Sequence, residues 1–103
     1  MKLRWTKRAL HQFNDLQAYI ANDNPIAAQA VAQQIAEATL LLLREPSIGR
    51  PGRIDGTREW VVNRTQYLIA YRIQAESLEI MAVIHSKQSW PSSMGGLIGD
   101  AEE

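Results

Sequence analysis

Hydrophobic residues recur at helical spacing through the first half of the chain. The first apolar stripe consists of Ala9, Phe13, Leu16 and Ile20. Their separations of four, three and four residues predict an amphipathic helix over about residues 7–21, with Thr6 as a suitable N-cap. Asn24 and Pro25 suit the cap and first turn of a second helix. The stripe of that helix, over about residues 25–44, consists of Ala28, Val31, Ile35, Ala38 and Leu42.

The remaining apolar positions have the character of strands. Residues 2–5 alternate between polar and apolar side chains, and three later runs are rich in Val, Ile, Tyr and Trp: residues 59–63, 67–73 and 78–84. The gaps between these runs have hairpin length. We therefore predict an α+β fold of order β-α-α-β-β-β, in which a two-helix hairpin packs on one face of a mostly antiparallel four-stranded sheet.

The composition indicates one globular domain. The chain has 103 residues, of which 46% are hydrophobic and 21% charged. We assign residues 1–91 to a single domain and the Ser-, Gly- and acid-rich residues 92–103 to a flexible acidic tail. The chain contains no cysteine and only two histidines, so we expect no disulfide, no metal site and no cofactor. The absence of cysteine fits a cytoplasmic protein, and we expect no membrane partner, because the longest apolar run is too short to span a bilayer.

The basic residues are concentrated, although their total of 11 equals the total of acidic residues. Eight of the 11 are arginines, and arginine is suited to bidentate pairing with carboxylate or phosphate. The zero net charge excludes a strong field for nucleic acid over the whole protein. Target or anion binding is one interpretation of the arginines in the second half, and ordinary surface positions are the other. These candidates are Arg50, Arg53, Arg58, Arg64 and Arg72.

Two further groups of residues have functional interpretations. His85 follows the last predicted strand and could transfer a proton near neutral pH, with Glu59 as a candidate base. A lone histidine is more often structural. The leucines near the end of the second helix either pack on the sheet or form a surface for a partner, and tryptophans are enriched at such surfaces. The candidates for partner binding are Leu40, Leu41, Leu43, Trp60 and Trp90.

Several short motifs, in their order along the chain, resemble the RelE/ParE toxin superfamily. They are Asn24-Pro25, Gly49-Arg50-Pro51-Gly52-Arg53, Gly56-Thr57-Arg58-Glu59, Tyr67 with Tyr71-Arg72, and Val83-Ile84-His85 followed by Trp90-Pro91. Each motif is weak alone, but together they cover about residues 2–91. The resemblance implies the toxin of a type II toxin–antitoxin pair, which acts as a growth inhibitor and is held by a cognate antitoxin in a hetero-oligomer.

The superfamily contains two mechanisms. RelE-type members are ribosome-dependent nucleases that cleave messenger RNA without a metal, whereas characterised ParE-type members inhibit DNA gyrase. RelE-type nucleases commonly place an arginine where this chain has Leu68, and a leucine cannot stabilise an oxyanion. The sequence is therefore more similar to the ParE type, with plasmid stabilisation as an associated role. The nuclease alternative would use Glu59, Arg58, Arg64, His85 and Lys87. A third interpretation is an inactive module that only binds the antitoxin.

Overall fold

The computed structural model describes residues 1–87. Two helices and five strands follow one another along this part of the chain. They are β1 (Lys2–Trp5), α1 (Lys7–Asp23), α2 (Pro25–Arg44), β2 (Arg50–Pro51), β3 (Arg58–Val61), β4 (Tyr67–Gln74) and β5 (Ser77–His85). The α+β class, the helical hairpin and the order of the long elements are as predicted. Trp90 and the expected acidic tail lie outside the described residues.

Side-chain caps define both helix starts. The Thr6 hydroxyl accepts a hydrogen bond from the Ala9 amide at 3.1 Å and donates to the Ile80 carbonyl at 3.1 Å, so it also ties α1 to β5. The Asn24 side chain accepts from the Ala27 amide at 3.0 Å. Each such cap contributes about 1 kcal/mol. The Asn24 amide also donates to the Ile20 carbonyl at 2.9 Å, and α1 therefore extends beyond the predicted end at residue 21.

The sheet has the strand order β1-β5-β4-β3-β2. β1 pairs in parallel with β5, from Lys2 opposite Ser77 to Trp5 opposite Ile80, and the other neighbours are antiparallel. The expectation of four strands was incomplete, because the predicted loop contains β2. Arg50 and Pro51 pair with Glu59 and Arg58, and short Pro-containing segments of this kind carry little strand signal in the sequence.

Hydrophobic residues are buried on both faces of the sheet. The helix-side core contains residues of α1, α2 and the strands, with Ile35, Leu42, Ile69, Tyr71 and Ile80 fully buried. A smaller cluster on the opposite face consists of Leu68, Ala70, Met81, Ala82 and Ile84, with Ile54 packed against it. An extra residue in β5, Met81, interrupts the pairing between Ala70–Ala82 and Tyr71–Ile80. The bulge places two consecutive residues, Met81 and Ala82, in the same cluster, and the alternation between the two faces resumes at Val83.

Helix α2 is long and apolar enough, by length and composition, to cross a membrane. In this fold, however, one side of the helix packs against the rest of the protein. Its buried residues are Ala28, Ile35, Ala38, Thr39 and Leu42. Their spacing places them on one stripe, as expected for a core helix of a globular domain.

Candidate functional site

Glu59 is a buried carboxylate at the edge of the sheet, with 2% of its surface exposed. Its Oε1 atom lies 3.2 Å from Nη2 of Arg50, and its Oε2 atom accepts a hydrogen bond from the Arg53 amide at 3.0 Å. The Nε atom of Arg53 lies 3.4 Å from the same Oε2. A buried charge is tolerated only with such compensation. Glu59 therefore holds the loop before β3 against the sheet.

Arg58 and Tyr71 attach the preceding part of that loop. Arg58 Nη1 donates to the Gly49 carbonyl at 2.7 Å and to the Ser47 carbonyl at 3.2 Å. The buried Tyr71 hydroxyl donates to the Pro46 carbonyl at 2.7 Å and accepts from the Gly49 amide at 3.0 Å. Burial raises the pKa of Tyr71, while the hydrogen bond with Gly49 and the charge of Arg58 act in the opposite direction.

Arg72 is buried with Glu79 on the sheet face away from the helices. Its Nε atom donates to Glu79 Oε1 at 2.7 Å, and Arg4 Nη1 lies 3.8 Å from Glu79 Oε2. Only 8% of Arg72 is exposed. This arginine therefore neutralises an internal carboxylate and presents little charge to a partner.

Arg64 differs from the other four candidate arginines. It is exposed in the turn between β3 and β4, and within residues 1–87 it makes no hydrogen bond or ion pair. Its φ of 65° lies in the left-handed region that non-glycine residues rarely adopt. The expected set of anion-binding arginines is thus divided into four with internal partners and one without.

His85 lies at the end of β5, opposite Tyr67 on β4. The two rings meet edge to face, with centroids 5.5 Å apart. The imidazole Nδ1 accepts a hydrogen bond from the Lys87 amide at 3.2 Å, so in the neutral ring Nε2 carries the proton and donates to Gln66 Oε1 at 2.7 Å. The side chain of Tyr19 shares a cleft of about 490 Å³ with His85, Tyr67 and Arg64.

The structure does not bring the proposed nuclease residues together. Glu59 is paired with Ala70 and lies with the face away from the helices, whereas His85 is paired with Tyr67 on the helix side. The expected proximity of Glu59 to His85 is therefore not found. Arg58 is engaged by the loop, and Lys87 contacts His85 through its backbone amide. Of the four other candidates, only Arg64 lines the same cleft as His85.

Leu68 is buried among the apolar side chains of the opposite face, with 1% of its surface exposed. No arginine occupies this apolar cluster within residues 1–87. The cleft that contains Arg64 and the imidazole is on the helix side of the sheet. The position at which the resemblance to RelE-type nucleases implies an arginine is therefore part of a buried apolar cluster in this chain.

An apolar groove follows the outer edge of β3. β2 pairs only with Arg58 and Glu59, so within the described chain no strand pairs with the outer edge of Trp60 and Val61. Val61 is 46% exposed, and together with Leu41 and Trp60 it lines a groove of about 550 Å³. An adjoining cavity of about 340 Å³ adds Ile48. An unpaired, apolar strand edge of this kind is suited to binding an extended or helical segment.

The candidate residues for partner binding are only partly grouped at this edge. Leu41 and Trp60 line the groove, Leu40 is 54% exposed on α2, and Leu43 packs against the core. The sequence pattern did not indicate Ile48 and Val61 at the groove, nor Tyr19 and Gln66 beside His85. Val61 could have been found from strand alternation, because Trp60 and Val62 share the opposite face.

Comparisons with known proteins place this chain in a family of toxins. Residues 3–90 match the family model described as the ParE toxin of the type II toxin–antitoxin system parDE. A relative from Sinorhizobium fredii, named "Putative toxin Y4kP", is 44% identical over 90 residues, which cover 87% of this chain and 93% of the relative. The chain therefore belongs to the ParE toxin family, and it is the toxin of a ParDE-type toxin–antitoxin system.

A solved structure has the same fold. It is titled "Chromosomal ParDE TA system from P. aeruginosa" and aligns with a TM-score of 0.73 over 82% of this chain and 95% of that chain. The sequence identity is 23%. This similarity supports the two-helix and mixed-sheet architecture described above.

Proposed function

We propose that this toxin inhibits growth by binding DNA gyrase and that a cognate antitoxin neutralises it. Membership of the ParE family supports the choice of target. The arrangement of charged residues supports a binding protein over a nuclease, because Glu59 and Arg58 are held by the loop and lie away from His85. In-line cleavage of RNA needs a base, an acid and cationic groups around one phosphate.

The antitoxin contacts the groove along the outer edge of β3. This apolar, unpaired edge is the observation that carries the proposal of a protein partner. Leu41, Trp60 and Val61 supply the hydrophobic contacts, and the backbone N–H and C=O of Val61, which face away from β4 and have no strand partner within residues 1–87, supply hydrogen-bonding groups. Strand addition uses both kinds of group at once. The resulting complex is a toxin–antitoxin hetero-oligomer.

A gyrase assay with a parallel translation assay tests the target. Purified toxin, freed of antitoxin, is added to a gyrase supercoiling reaction and to translating ribosomes with a defined message. We expect loss of supercoiling, an intact message, and recovery of supercoiling when antitoxin is added. Cleaved message with unimpaired gyrase would overturn the proposal in favour of the ribosome-dependent nuclease. A chain without effect in both assays, and without effect on growth, would be an inactive antitoxin-binding module.

Paired substitutions on two strands test the antitoxin surface. Val61→Lys introduces a charge into the groove, whereas Ile73→Lys introduces the same charge at an aliphatic position with similar exposure, 41% against 46%. Ile73 lies toward the far end of β4, which places it outside the groove. We expect Val61→Lys to weaken antitoxin binding about tenfold or more, the usual effect at a hot spot, and Ile73→Lys to have little effect. Equal losses of antitoxin affinity in the two variants would exclude this groove as the antitoxin-binding surface.

A further inference from the structure

The cleft beside His85 has a lining rich in hydrogen-bond donors. It has a volume of about 490 Å³ and lies between the helical hairpin and the β3–β4 turn. Its polar groups come from Tyr19, Arg64, Thr65, Gln66, Tyr67 and His85, and within residues 1–87 no carboxylate is among its lining residues. Asp15 lines only the adjoining cleft of about 250 Å³. A donor-rich site without a carboxylate is suited to an anion.

Hydrogen bonding within the cleft leaves donors available. Gln66 uses its amide oxygen to accept from His85 Nε2, so its NH₂ group remains free to donate. The hydroxyl groups of Tyr19 and Tyr67 have no hydrogen-bond partner within residues 1–87. Burial raises the pKa of Tyr67, and the neighbouring Tyr19 raises it further. The Tyr67 phenol therefore stays neutral at physiological pH, and Tyr19 lies close to it.

Among the described residues of this lining, Arg64 provides the only full positive charge. Its left-handed backbone would be less strained with glycine or asparagine. A strained residue of this kind often belongs to a functional site. Within residues 1–87 the guanidinium at the rim of the cleft is unpaired, and its chemistry suits phosphate or carboxylate as a partner.

Tyr19 distinguishes between these two anions. Its side chain is at the rim, and 79% of the residue is exposed. A carboxylate would need only the guanidinium and the amide, whereas a nucleotide also offers a flat base. Exposed aromatic rings beside a cation are typical of sites that bind single-stranded nucleic acid, in which bases stack on the rings.

We propose that this cleft binds one nucleotide of a single-stranded nucleic acid, with the phosphate against Arg64 and Gln66 and the base on the ring of Tyr19. The site adjoins the antitoxin groove, with which it shares Arg64 and Thr65, and it does not depend on gyrase as the target. Binding is weak, because the protein has no net positive charge.

Fluorescence anisotropy tests the site with the full-length chain. The probes are two fluorescein-labelled oligomers, an oligothymidylate of six nucleotides and an abasic oligomer of the same length. We expect Arg64→Gln and Tyr19→Ala each to weaken binding of the oligothymidylate about fivefold or more, since loss of one stacked base has at least this effect. Arg44→Gln removes the same charge from an exposed position at the far end of α2, and we expect less than a twofold change.

Two further measurements, the salt dependence of binding and the preference between the two probes, separate phosphate contact from base stacking. We expect Arg64→Gln to reduce the slope of log affinity against log salt by about 0.7, the value for one phosphate on a single strand. We expect Tyr19→Ala to leave that slope unchanged and to abolish the preference for the oligothymidylate over the abasic oligomer. Arg64→Lys retains the charge and should restore part of the affinity. Circular dichroism and thermal unfolding establish that each variant is folded.

Three results would overturn the proposal. The first is no binding of the oligothymidylate at millimolar protein concentration. The second is an equal loss of affinity in Arg64→Gln and Arg44→Gln, which would indicate general charge attraction. The third is binding of a glutamate-rich peptide through Arg64 with no binding of the oligonucleotide, which would assign the cleft to a protein carboxylate. Gyrase inhibition can persist in all three cases, so the two proposals fail separately.

Discussion

Arg50 and Glu59 face each other across the short β2–β3 ladder, with Nη2 and Oε1 3.2 Å apart. Glu59 is almost completely buried, whereas 60% of the Arg50 side chain is exposed. The pair therefore lies at the boundary between core and solvent. The same carboxylate also accepts from the Arg53 amide, and one buried charge thus organises the turn that adds a fifth strand to the sheet.

We predict that Glu59→Ala destabilises the protein by about 2–4 kcal/mol, because the substitution removes the partner of the Arg53 amide and of two arginines. Equilibrium unfolding in urea measures the change. Glu37→Ala is the control, since Glu37 is exposed on α2, and it should change stability by less than about 0.5 kcal/mol. Similar losses in the two variants would show that Glu59 does not organise the loop.

We predict that Gly49→Ala destabilises the protein by about 1–3 kcal/mol through overpacking. A Cβ atom at this position would lie 2.6 Å from the Tyr71 hydroxyl oxygen and 3.0 Å from the Glu59 carbonyl oxygen. Ser47→Ala, at an exposed position of the same loop, is the control. In a double-mutant cycle, Gly49→Ala should cost less in the background of Tyr71→Phe, which lacks the hydroxyl group. If the two substitutions change the free energy of unfolding additively, the clash does not involve the Tyr71 hydroxyl group.

We predict that Arg64→Gly and Ala75→Gly each stabilise the protein by about 0.5–1 kcal/mol, because both residues adopt left-handed backbone conformations, with φ of 65° and 55°. Thermal unfolding should show a rise of a few degrees for each. If nucleotide binding weakens in Arg64→Gly and is unchanged in Ala75→Gly, the arginine at position 64 lowers the stability of the protein but is needed for binding. A loss of stability in both variants would contradict the role of backbone strain.

We predict a loss of stability as the pH rises above about 10. The pKa of Tyr71 is raised above the model-compound value of 10.0, mainly by burial. The folded protein therefore favours the neutral phenol, whose contribution is complete below pH 10 and decreases as the pH rises through the folded pKa. Urea unfolding between pH 8 and pH 11 should show a smaller pH dependence in Tyr71→Phe. An identical dependence in both proteins would exclude Tyr71 as the source.

The sequence by itself determined the local elements. Helical spacing, the Thr6 and Asn24 caps and the apolar strands predict the helices and the long strands, because each of these signals depends on neighbouring residues. The motifs from Asn24 to His85 were sufficient to identify the toxin superfamily. A two-residue strand at Arg50–Pro51 carries no periodic signal, and it was therefore missed.

Only the tertiary structure decided how the charged residues are used. In sequence, the five arginines from Arg50 to Arg72 are equivalent candidates. In the fold, Glu59, Glu79 and two loop carbonyls engage four of them, while Arg64 stays unpaired within residues 1–87. The separation of Glu59 from His85 also depends on strand register and on the face to which each side chain belongs. Pairings between distant parts of the chain set these relationships, and local sequence patterns do not encode them.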